Sequence, residues 1–391
     1  MLKIRTLLFA GLASLFALPA TAFETTAKQA VIMDYDSGQI LFRKNADTPM
    51  IPASMTKIMT VYMVFERLSD GRLSPDDTFT VSENAWRKGG ASTEGSTMFL
   101  PIGQQVSIRD LLRGVIVQSG NDACIVLAEG IAGSEEAFAA EMTTRAHELG
   151  LATASFKNAT GLHEDGHEIS AEDLAKLARM TIENFPDLYQ IYAEREFTWS
   201  DIRQFNRNPL LSRFSGTDGL KTGHLSQSGY GLTASAQVDG ERRIVVVNGL
   251  ESERDRANEA ERMMRAAFRE FSVATPFEAG TIVAEAPVWL GAQSTVPLEI
   301  QSDLNLAYPS ADRNRVTAEV VLSESIKAPV EQGAILGELL VSLEDEELAR
   351  LPVYAAEPVS KLGIVGQAME GLSAMIVPPA SAGASALVLP E

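Results

Sequence analysis

Strand-like sequence stands at both ends of a long helical middle, and this arrangement restricts the folds open to the chain. Residues 30–35 run apolar like a strand, Asp36-Ser37-Gly38-Gln39 is turn sequence, and residues 40–42 return. Far downstream, residues 229–237 and 242–249 alternate or run apolar, with Asp239-Gly240 as a two-residue hairpin turn between them. The middle carries helical periodicity at 55–67, 108–116, 122–131, 135–149 and 171–183, and a closing helix is expected at 258–271. In the first of these, Ile58, Val61, Tyr62 and Phe65 fall on one stripe. Such an order predicts an α+β domain, an antiparallel sheet covered by helices.

After about residue 273 the character changes. Short β-like runs at 281–283, 288–290, 296–300, 316–322 and 335–343 are separated by turn residues, which predicts a small all-β domain over 274–356. A tail follows over 357–391. Leu362, Val365, Met369, Leu372 and Ile376 form one helical stripe, the pattern of an interfacial helix, which Gly363, Gly366 and Gly371 weaken. The Ala, Ser and Pro residues from Pro378 onward predict no fixed structure.

The N-terminus reads as a leader. Lys3 and Arg5 precede an apolar run from Thr6, and Ala20-Thr21-Ala22 supplies small residues for cleavage after Ala22. The run is shorter than the ~20 apolar residues that a membrane span needs. Residues 1–22 are therefore expected to be a signal peptide, and the mature chain an exported, periplasmic protein. The single cysteine, Cys124, excludes an intramolecular disulfide and sits among apolar neighbours like a buried small hydrophobe. The net charge of -19 argues against nucleic acid, which needs a basic face. His163 and His167 have metal-like i, i+4 spacing, but Glu164-Asp165-Gly166 between them is a polar turn, so neither metal nor cofactor is expected.

Three short motifs carry the chemistry: Ser54-Met55-Thr56-Lys57, Ser119-Gly120-Asn121 and Lys221-Thr222-Gly223. A serine hydroxyl is a poor nucleophile until a base takes its proton. At i and i+3 on a helix, Ser54 and Lys57 share a face, and Pro52 suits the start of that helix. Lysine acts as a base only when its pKa is lowered, by burial or by a second cation, for which Lys221 is the candidate. Ser119 is placed to relay a proton, and Asn121 to hold Lys57 and the substrate amide. On a strand at 221–224, Gly223 lets substrate backbone approach closely. Alone, each motif is weak, since S-x-x-K arises about once by chance in a chain of this length. Together, in this order and in an exported chain, they specify a serine acyl-transfer site.

The surroundings of the motifs extend the pattern. Residues 46–60 around Ser54, residues 118–124 around Ser119, Asp218-Gly219-Leu220-Lys221-Thr222-Gly223-His224, and Ile202-Arg203-Gln204 followed by Asn206-Arg207-Asn208 resemble the serine-type D-alanyl-D-alanine carboxypeptidases, the low-molecular-weight penicillin-binding proteins. The resemblance runs over roughly residues 25–272. It implies a β-lactamase/transpeptidase-like domain over 23–273. It also implies that Ser54 attacks the bond between two terminal D-alanines of peptidoglycan stem peptides, with Lys57 as general base. By the same resemblance, the backbone N–H groups of Ser54 and His224 form the oxyanion hole. Ser119 and Lys221 handle the leaving-group proton and the terminal carboxylate, with Thr222 as a further donor. Arg207 either adds positive field there or forms a structural ion pair. β-Lactam antibiotics are implied as covalent inhibitors, and weak peripheral contact of the tail with the outer face of the inner membrane is expected. The chain departs from its relatives at Thr160, where many have histidine before Gly-Leu. Two alternatives share parts of the pattern. A β-lactamase needs a deacylating Glu in an E-x-x-L-N loop, which neither Glu164 nor Glu168 begins, and a non-catalytic wall-binding protein needs neither Lys57 nor Lys221.

Overall fold

The computed structural model describes residues 23–93, 95–344, 346–364 and 384–387. The expected leader, and Val365, Met369, Leu372 and Ile376 of the tail stripe, lie outside the described residues.

One five-stranded antiparallel sheet joins the two ends of the first domain. Strands β1 (Gln29–Asp34) and β2 (Ile40–Lys44) are the N-terminal hairpin, and β3 (Thr217–Leu225), β4 (Gly229–Val238) and β5 (Glu241–Leu250) form a meander. β1 lies against β5 with Val31 opposite Val246, giving the order β2-β1-β5-β4-β3 and leaving β3 at an edge. Asp239 and Gly240 adopt φ of 52° and 92°, the positive values that a tight turn matched to strand twist requires.

Five longer helices matter for the site: α1 (Lys57–Ser69), α2 (Asn121–Ala132), α3 (Glu135–Glu148), α4 (Ala171–Asn184) and α5 (Glu253–Arg269). Strand alternation divides the sheet's apolar residues between two cores. Val31, Met33, Ile244 and Val246 face the helical layer that contains α1, α2 and α4. Ala30, Ile32, Val245 and Val247 face Ala260, Met263, Met264 and Ala267 of α5.

The ends of several helices differ from the sequence expectation, each for a local reason. The helix expected at 55–67 is a 3-10 turn over Ala53–Thr56 that runs into α1. The one expected at 108–116 is α-helical over Ile108–Arg113 and π-helical over Gly114–Gln118. The closing helix begins at Glu253 rather than 258, because the Ser252 side chain accepts from the Asp255 N–H and caps it. Its charged first turn hides that start from an apolar-periodicity reading.

The second domain has its own core, with Val296, Leu298, Leu339, Val341 and Val353 at its centre. The runs expected at 281–283 and 288–290 are one strand, Ile282–Trp289, which buries Val283, Ala286 and Val288 and leaves Pro287 exposed. Leu304–Pro309 and Glu346–Ala355 are further strands. Within the stretch expected to lack structure, Ala384–Leu387 pairs antiparallel with Val316–Leu322 at the edge of the seven-stranded sheet.

The β1–β5 junction is pinned by charge. Arg243, 2% exposed, donates from Nη1 to Asp34 Oδ1 at 2.6 Å and from Nε to the Ala267 carbonyl of α5 at 3.2 Å. Removing one partner of a buried pair strands the other charge without water. Asp34→Ala is therefore expected to destabilise the protein by about 3–5 kcal/mol in denaturant unfolding, and a loss below about 1 kcal/mol would show that Glu241 compensates.

Candidate active site

Pro52 (φ -78°, ψ -14°) leads into the 3-10 turn, and Ala53 takes φ of 49°. The turn holds Ser54 half-buried and delivers Lys57 to the start of α1, fully buried. Lys57 Nζ lies 3.0 Å from Ser54 Oγ, 2.8 Å from Asn121 Oδ1 and 2.6 Å from the Thr160 carbonyl. Two of these oxygens can only accept. A neutral amine donates its two N–H groups to them and keeps its lone pair for the Ser54 hydroxyl proton. Burial is the main force lowering the Lys57 pKa, and the Arg207 charge adds to it.

The second motif sits where a helix changes gauge. The π-helical turn over Gly114–Gln118 ends in Ser119, 2% exposed and left-handed at φ 67°, ψ 28°. Asn121 then opens α2. Asp122, fully buried, accepts from Thr97 Oγ1 at 2.7 Å and from the backbone N–H groups of Met98 and Leu100, which clamps a loop over the second motif.

The third motif lies on edge strand β3. Lys221 is 3% exposed, and burial, followed by the charges of Lys57 and Arg207, pushes its amine well below the ordinary lysine range. Gly223 serves a contact that the sequence did not suggest. A Cβ there would stand 2.6 Å from the Pro52 carbonyl and 3.3 Å from Ala53 Cβ, so the glycine lets β3 close against the turn that carries Ser54.

A cleft of about 570 Å³ is bounded by Ser54, Ser119, Asn121, Thr222, Gly223 and His224, with Arg207 and Arg256 also on its wall. Lys57 and Lys221 stand behind that wall rather than on it. His224 is exposed, and its ring stacks on Tyr230 with centroids 3.8 Å apart. Arg207 is exposed in the cleft, where Glu253 is the acidic group that acts on it.

Sequence reasoning missed two contributors. Arg256 is 4% exposed, donates to Glu253 Oε1 at 2.8 Å, and its Nε has no partner among the described residues. In the sequence it is one charge of a Glu253-Arg254-Asp255-Arg256 run that looks like a solvated helix face. The other is the Thr160 carbonyl. The Thr160 side chain turns to Asn158 Oδ1 at 3.0 Å, which also accepts from the backbone N–H groups of Thr160 and Gly161. Position 160 therefore meets Lys57 through its backbone, and no side-chain signal could have revealed it.

Residues 17–252 match the sequence profile of D-alanyl-D-alanine carboxypeptidase, and residues 271–361 match that of the penicillin-binding protein 5 C-terminal domain. The chain belongs to the D-alanyl-D-alanine carboxypeptidase family. It is 38% identical over 372 residues to the D-alanyl-D-alanine carboxypeptidase DacC of Escherichia coli, spanning 92% of this chain and 93% of that protein. Penicillin-binding protein 5 of Haemophilus influenzae superposes with a TM-score of 0.73 at 35% identity, covering 87% of this chain and 99% of that one. Penicillin-binding protein D2 of Listeria monocytogenes, solved in its ampicillin-bound form, superposes at 0.57 with 26% identity, over 63% of this chain and 99% of that one.

A carboxypeptidase of this family with a lysine base has a recognisable pH dependence. A lysine base must be neutral to accept a hydroxyl proton, so with Lys57 in that role acylation is expected to fall as pH drops through its pKa. That pKa is lowered from the ordinary ~10.4, which puts the acid limb of the rate below this value. Lys57→Arg keeps the charge but cannot deprotonate, and is expected to slow acylation by a labelled penicillin by about 10²–10⁴-fold. Near-normal acylation in that variant, or an acid limb at or above pH ~10.4, would show that the amine acts only as a fixed charge.

Proposed function

We propose that Ser54 and Lys57 carry out hydrolysis of the terminal D-Ala–D-Ala bond of peptidoglycan stem pentapeptides through an acyl-enzyme. The observation that carries this reading is the amine of Lys57. Two of its directions are committed to fixed acceptors and the third points at Ser54 Oγ. Lys57 takes the hydroxyl proton as Oγ attacks the penultimate carbonyl. The N–H groups of Ser54 and His224 stabilise the oxyanion; as the C–N bond breaks, Ser119 passes its hydroxyl proton to the departing D-alanine nitrogen and regains one from the protonated Lys57. Water, losing a proton to the neutral Lys57, then attacks the ester, and Ser54 leaves with a proton as the shortened peptide is released. The terminal carboxylate meets Thr222 and Arg207, with the buried Lys221 amine and the Arg256 guanidinium beside them. A β-lactam follows the same course and stops at the ester, as an acylating inhibitor. The cleft geometry favours a carboxypeptidase over a β-lactamase, because neither Glu164 nor Glu168 is among the cleft-lining residues.

The same reading takes residues 1–22 as a leader for export to the periplasm. It also divides the mature chain into a peptidase domain over 23–273, an all-β domain over 274–356 and a tail over 357–391. No helix among the described residues is long and apolar enough to cross a membrane. Lys361 is the last basic residue of the chain, so attraction of the tail to anionic lipid is slight and its apolar side chains supply the affinity.

Three measurements test these assignments. Ser54→Ala is expected to abolish both labelling by penicillin and D-alanine release from a pentapeptide, and mass spectrometry that finds the drug on another serine would overturn the nucleophile. Arg207→Ala is expected to raise KM for the pentapeptide about 10-fold or more, the size of a lost charge-assisted contact. For the tail, the mature protein is expected to co-sediment weakly and reversibly with anionic vesicles, and a version ending at Ala356 not to do so. Equal binding by the two would remove the tail as the attachment.

A further inference from the structure

His167 entered the sequence reading only as half of an i, i+4 pair with His163 on a polar turn. The fold separates the two. His163 is exposed, whereas His167 is 1% exposed and packs edge-on against the Phe156 ring at 5.7 Å. Its imidazole joins two segments. The backbone N–H of Lys157 meets Nδ1 at 3.1 Å. A backbone N–H can only donate, so Nδ1 is the bare nitrogen and the ring proton is on Nε2. Nε2–H then donates to Thr56 Oγ1, 2.8 Å away.

Both ends of this bridge lead to the catalytic amine. Thr56 lies in the 3-10 turn between Ser54 and Lys57. Lys157 opens the loop whose Thr160 carbonyl accepts from Lys57 Nζ. That loop is pressed against the turn. Gly161, at φ of 81°, has room for no side chain, since a Cβ would fall 1.9 Å from the Ala53 carbonyl. Asn158 ties the loop to itself, and Thr60 Oγ1 donates to the Ala159 carbonyl at 2.7 Å. His167 is the side chain that links the base of the loop to the turn that carries the nucleophile.

We propose that His167 is a positioning residue: by bridging the Lys157 N–H to Thr56 Oγ1, it fixes the Thr160 carbonyl against Lys57 Nζ and so keeps the amine aligned with Ser54 Oγ. This rests on the assignment of Lys57 as the base. Burial, with the nearby Lys157 charge, lowers the His167 pKa to about 4, so the ring is neutral above that pH and keeps this tautomer.

The test is transient kinetics of acylation by a fluorescent penicillin, with the mature chain and its variants. In His167→Phe, the limiting acylation rate is expected to fall about 10-fold with the apparent binding constant unchanged. A loosened loop admits water to Lys57, which relieves the burial that depresses its pKa, so the acid limb of the rate moves to higher pH. The other groups that act on Lys57 (the Cys124 thiol, Arg207, Glu135 and Asp122), and Lys221, on which Lys57 acts, are unchanged in the His167 and Thr56 variants. His167→Gln keeps an N–H able to reach Thr56 and is expected to recover the rate to within about 3-fold. Thr56→Val should reproduce the loss, and combining it with His167→Phe should add little more. The proposal is overturned if His167→Phe acylates at the wild-type rate with an unmoved acid limb. It is also overturned if the two losses add, or if fewer molecules are labelled while each labelled one reacts at the wild-type rate, since that is plain misfolding. Lys57→Arg measured alongside separates the two claims. Near-normal acylation there removes the base itself, whereas an inactive Lys57→Arg beside a normal His167→Phe removes the positioning role alone.

Discussion

A single buried amine, held by three segments that are distant in sequence, is the interaction on which the peptidase domain depends. Lys57 is enclosed by its own turn, by Asn121 at the head of α2 and by the Thr160 carbonyl. A charged amine in such a place would be costly, and burial resolves the cost by favouring the neutral form, which is the form that can act as a base. Stability and reactivity thus make the same demand on the site. The wall must stay closed so that the amine stays dry, and its acceptors must stay fixed so that the lone pair keeps its direction.

The rest of the domain can be understood as the support for that enclosure. The sheet sets β3 at its edge, and Gly223 allows this edge to meet the Pro52 carbonyl of the turn that carries Ser54. Asp122 gathers Thr97, Met98 and Leu100 over the start of α2. Arg243 pins β1 to β5 and reaches α5, so the two distant parts of the chain that build the sheet cannot slide.

Charge is divided in the same purposeful way. The chain carries a net -19, but Arg207 and Arg256 converge on one cleft, with Glu253 as an acid that acts on both. Low-dielectric walls concentrate such a field, and a substrate that ends in a carboxylate is drawn to it against the sign of the whole molecule. The Arg207 charge also lowers the pKa of Lys57 and of Lys221, so a cation on the cleft wall adds to the effect of burial on both amines.

Local rules made much of this legible from the sequence. Apolar spacing placed α1 and α4, the positive φ of a tight turn placed Asp239-Gly240, and the i, i+3 rule joined Ser54 to Lys57. The reading was weaker wherever a boundary rested on charge or on altered helical gauge, as at Glu253 and at the π-helical turn before Ser119. The roles of Arg256, His167, Gly223 and the Thr160 carbonyl were hidden, because each depends on which distant surface it meets. Sequence by itself determined the types of group available and their separation along the chain, since those follow from covalent order and local periodicity. Tertiary structure alone decided which side chains were denied water and which backbone oxygen faced the amine. Burial and direction arise only when separate segments pack together.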